Sequence, residues 1–190
     1  MDTLKVLRDK TGVSIMQCKK ALEETDGDLE KAEVILRKKS GAAADKKSDR
    51  DLAAGAIGTY VHDGEIGSMV LLSCETDFVA RNPEFPALAR EIAMQIAASN
   101  PTYLNDSDIA PEALAAATAV FEEEVKDKPE EMRAKILDGK LASYFASQVL
   151  MNQAFIKDES KTVRDLITEA SQKFGERVEV TRFVRFSARG

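Results

Sequence analysis

The sequence has no apolar run approaching the roughly 18 residues that a membrane-spanning helix needs. Its first residues, Met1-Asp2-Thr3-Leu4-Lys5, lack the basic segment and apolar stretch of a secretory leader. Only two cysteines occur, Cys18 and Cys74, far apart and without CxxC spacing, which argues against a metal site or a disulfide framework. There is one histidine, His62, most simply a polar strand end. No Walker A loop and no GxGxxG is found: Gly55, Gly58, Gly64 and Gly67 sit in and around a hairpin with the wrong spacing to cradle a phosphate. A basic surface is also missing. The net charge is −6, and the slight basic excess of the first 50 residues is too small for a nucleic-acid arm. These absences set the expectations of a cytoplasmic protein without cofactor or metal, one that makes no direct nucleic-acid or membrane contact and is not a chemical catalyst.

What is present suits a folded globular chain. Hydrophobic residues make up 44% and charged residues 32% of 190 positions, enough for one medium domain or a small domain beside a larger one. Residues 1–39 read as three short helices. Leu4, Val6 and Leu7 give the first an apolar face that ends at Thr11-Gly12, and Ser14 is placed to cap the second, with Ile15, Cys18, Ala21 and Leu22 at helical spacing. Asp28 is placed to cap a third, with Ala32, Ile35 and Leu36 inward. Residues 40–52, small and charged, read as a linker or loosely helical connection to a core over 53–190.

Within that core, Ala56–His62 and Ile66–Cys74 flank Asp63-Gly64-Glu65 as a β-hairpin. Ile57, Thr59 and Val61 share one face of the first strand. The second strand is apolar on both faces, Val70 and Leu72 one way, Met69 and Leu71 the other. Helices are expected over 83–99, 111–126 and 129–151, the last interrupted near Asp138-Gly139, and from Thr162 to Gly175. The end, Arg177 to Phe186, alternates as a strand, with Val178, Val180, Val184 and Phe186 on one face and Arg182 intruding. The expected class is α+β: a three-stranded antiparallel sheet packed with helices, behind a small three-helix domain.

The chain is organised around Cys74-Glu75-Thr76-Asp77-Phe78-Val79-Ala80-Arg81-Asn82, a strand end, a tight polar turn and a helix start. Thr76 or Asp77 is suited to cap the turn. Phe78 is a large aromatic where such connections are polar, and it is either folded into the core or an exposed wedge of the kind that anchors a protein interface. A Cys74–His62 catalytic dyad fails on geometry: with His62 opposite Ile66, Cys74 lies eight residues along the strand, roughly 26 Å at ~3.3 Å per residue.

Four separate stretches then point one way. CETDFVARN, the N-terminal pattern TG…CKKAL…GDLEKA…LR, residues 153–163 (QAFIKDESKTV) and the terminal GERVEVTRFVRF resemble, in order, the elongation factor Ts family. The resemblance implies an N-terminal ubiquitin-associated-like helical module and a guanine nucleotide exchange factor that binds elongation factor Tu, in GDP-bound and nucleotide-free forms, during translation elongation. It implies that Asp77 and Phe78, with Thr76 and Val79 in the same motif, enter near the partner's Mg²⁺ and switch region. Arg8, Ile15 and Met16 become contact positions of the module, although Ile15 and Met16 suit its core as well. The His62 hairpin reaches a different partner domain. Longer family members hold two related half-cores, and this chain has one, so a homodimer joined through the apolar sheet face is expected. The alternative cover for that face is the helix over 111–126. The competing functional reading is a ubiquitin-associated-like adaptor without exchange activity.

Overall fold

The computed structural model describes residues 3–45 and 49–188. Helices α1 (Thr3–Thr11), α2 (Ile15–Glu24) and α3 (Leu29–Asp45) close around Leu7, Val13, Cys18, Ala21, Ala32 and Leu36. Their boundaries follow from local chemistry. Gly12 takes φ 66° after α1, the Ser14 hydroxyl accepts from Gln17 N at 3.4 Å, and Asp28 Oδ1 accepts from Lys31 N at 3.0 Å. Helix α3 continues to Asp45, into the stretch read from sequence as a connection. Residues 46–48 of that stretch lie outside the described residues.

Strands β1 (Ala54–His62) and β2 (Ile66–Cys74) form the expected hairpin, with His62 opposite Ile66 and with Asp63 and Gly64 both at positive φ in the turn. A four-residue helix α4 (Asp77–Ala80) follows, then α5 (Glu84–Ser99), α6 (Pro111–Val125) and α7 (Glu130–Ala146). Next come a small hairpin of β3 (Ala154–Phe155) and β4 (Asp158–Thr162), helix α8 (Val163–Phe174) and β5 (Val178–Ser187). The main sheet is antiparallel in the order β1-β2-β5. The architecture is α+β, as the sequence implies.

One sheet face is covered by α5. Val70, Leu72 and Cys74 of β2 meet Phe85, Ala89, Ile92, Ala93 and Ile96, and α8 adds Val163, Ile167 and Ala170. Ser68, buried on the same face, donates to Ala93 O at 2.6 Å, so the polar group is satisfied. Helix α8 begins with a reciprocal cap, Thr162 with Asp165, and ends at Gly175 with φ 74°. It also packs against α3, and Gly12 lies against the Lys173 side chain. No described helix is long and apolar enough to cross a membrane.

Two sequence expectations are corrected. First, α7 runs through Asp138-Gly139 without a break and stops at Ala146; residues 150–152 form a separate 3₁₀ turn. A β-carbon on Gly139 would meet nothing within 4 Å, so this glycine costs the helix some propensity but no packing. Second, Val178 and Val180 do not share a face with Val184 and Phe186. The β2–β5 register shifts between Leu71, opposite Arg182, and Leu72, opposite Val180, leaving Thr181 as an extra residue. That bulge sends Val178 and Val180 into the core and turns Arg182, Val184 and Phe186 to the other face. Arg182 therefore does not intrude on the core.

The other face of the sheet, with Ile57, Val61, Met69, Leu71, Val184 and Phe186, is left open by the described residues. Met69 is 46% and Leu71 37% exposed. Helix α6 packs on α7 through a cluster of Ala117, Phe145 and Val149 rather than over this face.

Candidate functional site

Cys74 is the last residue of β2, and its pairing with Val178 closes the β2–β5 ladder. The chain leaves the sheet there and makes a single helical turn. Thr76 is extended (φ −127°, ψ 155°), and its hydroxyl accepts from Val79 N at 3.4 Å; of the two candidate caps, Thr76 is the one used. One turn of helix then divides its residues by direction. Val79 is 5% exposed and belongs to the core with Cys74 and Phe85, so it anchors the turn. Phe78 is 83% exposed. Asp77 is also exposed and forms an ion pair with Arg81 at 3.2 Å, a solvated contact that adds little stability. Of the two readings of Phe78, burial in the core is the one the geometry removes.

The turn is braced from a distant segment. The Glu176 carboxylate accepts from Glu75 N (3.1 Å), Thr76 N (3.0 Å) and the Thr76 hydroxyl (2.6 Å). In return, the Glu75 carboxylate accepts from Arg177 N (2.5 Å) and Arg50 Nη1 (3.1 Å). Sequence reasoning missed Glu176 and Arg177. Their motif and that of Phe78 lie about a hundred residues apart, and no periodicity within either stretch signals the contact.

The Cys74 thiol beneath the turn donates to Thr76 O at 3.3 Å. Burial, and then the Glu176 carboxylate, push its pKa up, so it stays protonated. A protonated, buried thiol is no nucleophile.

The remaining sequence-predicted positions lie on other elements. Arg8 is exposed on α1, and Ile15 and Met16 are exposed at the start of α2, Met16 at 75%; neither apolar residue belongs to the module's core. His62 stands at the opposite end of the hairpin from Cys74. Its ring stacks on Tyr60 with centroids 6.1 Å apart, the Tyr60 hydroxyl lies 3.1 Å from Nδ1, and the Arg90 guanidinium sits 5.8 Å over the Tyr60 ring. The structure thus gathers Thr76, Asp77 and Phe78 in one turn and leaves His62 and the module positions as separate patches.

Residues 44–189 match the family model described as elongation factor TS, and residues 1–44 match that of the mitochondrial elongation factor Ts N-terminal region. The chain is similar to elongation factor Ts of Thermodesulfovibrio yellowstonii, at 50% identity over 96% of this chain and 92% of the relative. It is also similar to elongation factor Ts of Thermotoga neapolitana, at 46% identity over 98% and 95%, and to that of Coprothermobacter proteolyticus, at 44% over 97% and 95%. With both models matching in sequence order and relatives aligned almost end to end, the chain belongs to the elongation factor Ts family of translation elongation factors.

Proposed function

We propose that this chain is a guanine nucleotide exchange factor that binds elongation factor Tu and promotes release of GDP, acting in the cytoplasm as a partner protein and not as a chemical catalyst. The observation that carries the reading is Phe78: an aromatic ring 83% exposed on a turn whose neighbours Thr76 and Val79 are fixed. An aromatic held out in this way costs little further ordering when it enters a partner's pocket. Asp77, beside it, brings a carboxylate towards the partner's Mg²⁺ network. By linkage, a protein that binds the nucleotide-free form more tightly than the GDP form weakens GDP binding by the same factor.

The module over 1–39 supplies affinity through Arg8, Ile15 and Met16, while the hairpin tip at His62 addresses another domain of the partner. Phe78 and His62 stand at opposite ends of one sheet. A homodimer joined through the open apolar face would present both features of two chains to one partner molecule. The exposed apolar residues of β1, β2 and β5 favour a second copy over solvent.

The test is release of fluorescent GDP from elongation factor Tu, with wild type and Phe78→Ala compared at equal melting temperature. Wild type should accelerate release, and the variant should lose more than about tenfold of that acceleration, equivalent to ~1.4 kcal/mol. No acceleration by wild type would defeat the reading and leave the adaptor alternative. For the dimer, light scattering at micromolar concentration should give twice the single-chain 20.8 kDa. A mass that stays at the single-chain value on concentrating the sample would defeat it.

A further inference from the structure

Helix α4 is only four residues long, and a single helical turn does not hold its shape unaided. Phe78, being exposed, has little to pack on, so its direction is fixed by the residues on either side. Val79 fixes the inner side. On the outer side stands Glu176, directly after the left-handed Gly175 that ends α8. Its two carboxylate oxygens take three donors at once: two successive backbone N–H groups and the hydroxyl that caps the turn. A carboxylate is an acceptor at both oxygens, and each of these bonds is charge-assisted.

The reciprocal contact, Glu75 to Arg177 N, closes the pair into a cross-link just beyond the last ladder pair, Cys74 with Val178. The turn is thus gripped from outside its own helix before any partner arrives.

We propose that Glu176 is a positioning residue for nucleotide exchange: its carboxylate locks the Thr76 cap so that the turn presents Phe78 in one orientation. This rests on the exchange role proposed for Phe78. Without Glu176, two backbone N–H groups and the cap hydroxyl turn to water, and the turn must be ordered each time the partner binds.

The experiment compares Glu176→Ala, Glu176→Gln and the double variant Glu176→Ala/Phe78→Ala with wild type and with Phe78→Ala, reading GDP release and amide hydrogen exchange of the free protein. Glu176→Ala should quicken hydrogen exchange at residues 75–80 while residues 89–97 of α5 keep the wild-type rate, and it should slow GDP release by about tenfold. The double variant should release GDP no more slowly than Phe78→Ala alone, because both changes act through the same ring. Glu176→Gln keeps one oxygen for the two N–H groups and can donate to the Thr76 hydroxyl. It should therefore stay within about threefold of wild type.

Losses that add in the double variant would overturn the inference, as would a glutamine variant no better than alanine. If Glu176→Ala does not fold, Glu176→Asp draws the carboxylate back by one methylene while Thr76 keeps its cap on Val79 N, and the same two readouts decide. Slow Phe78→Ala beside wild-type-rate Glu176→Ala overturns this inference alone. Phe78→Ala at the wild-type rate removes the role of Phe78 and this inference together.

Discussion

Gly58 of β1 lies directly against the backbone of Ala89 in α5: a β-carbon on Gly58 would stand 2.2 Å from the Ala89 carbonyl carbon. The contact is backbone to backbone, so no side chain can move aside to make room. It sets how closely the principal helix approaches the sheet, and with it the depth of the core under β2. Gly58→Ala should therefore destabilise the protein by about 1–3 kcal/mol through overpacking, lowering the melting temperature by roughly 2–4 °C for each kcal/mol. Gly67→Ala is the control. A β-carbon there meets nothing within 4 Å, and calorimetry should find it close to wild type.

Met16 is more exposed than Ile15, 75% against 49%, and it contributes nothing to the core of the three helices. Met16→Asp should leave thermal unfolding within about 0.5 kcal/mol of wild type. It should also raise the concentration needed for half-maximal GDP release by about tenfold or more. Titration of the exchange assay checks this, and an unchanged half-maximal concentration would remove Met16 from the proposed interface.

Leu71 lies near the middle of the open sheet face, opposite Ile57 on one neighbouring strand and Arg182 on the other. Leu71→Asp places a carboxylate where the proposed two-fold interface would bury it. Sedimentation should show the variant as a single chain at micromolar concentration, with a melting temperature that no longer depends on concentration. A variant that sediments with the wild type, whatever that mass is, would place the interface elsewhere or remove it.

The Cys74 thiol gives a pH signature. Its pKa is raised in the folded state by burial and by Glu176, so the folded chain keeps the proton after the unfolded chain has lost it. Above the ordinary thiol range the unfolded state binds fewer protons than the folded one, and stability falls as pH rises. Below that range the contribution is complete and flat. Cys74→Ala should remove this alkaline slope in denaturant titrations, and iodoacetamide should label Cys74 at neutral pH no faster than the chain unfolds.

Much of this was legible in the residues. Asp63-Gly64 marked the hairpin turn, Ser14, Asp28 and Thr162 marked helix starts, and alternation in β2 placed Val70 and Leu72 on a face opposite Met69 and Leu71. Each of these is a local rule acting on neighbouring residues. The failures were of two kinds. Alternation through Val178, Val180, Val184 and Phe186 assumed an unbroken period, and one bulged residue, Thr181, inverts everything after it. Glycine at 139 reads as a breaker on propensity alone, and the α6–α7 contact overrides it. For the site, motif chemistry located Thr76, Asp77 and Phe78, whereas Glu176 acts across a hundred residues and is visible only after folding.

The contact between α3 and α8 has a consequence for how the chain could be rewired. Helix α8 packs on α3 of the N-terminal module and runs directly into Gly175 and Glu176 at the base of the Phe78 turn. The spacing between module and turn is therefore kept by docking of α3 on α8, and Arg50, further along the connection, is tied to Glu75 and Arg177 at the turn. Residues inserted directly after Asp45 should cost only about 0.6 kcal/mol for each doubling of the loop. A chain cut there should reassemble through α3 and α8, the proposed exchange function returning as the concentration of either part is raised.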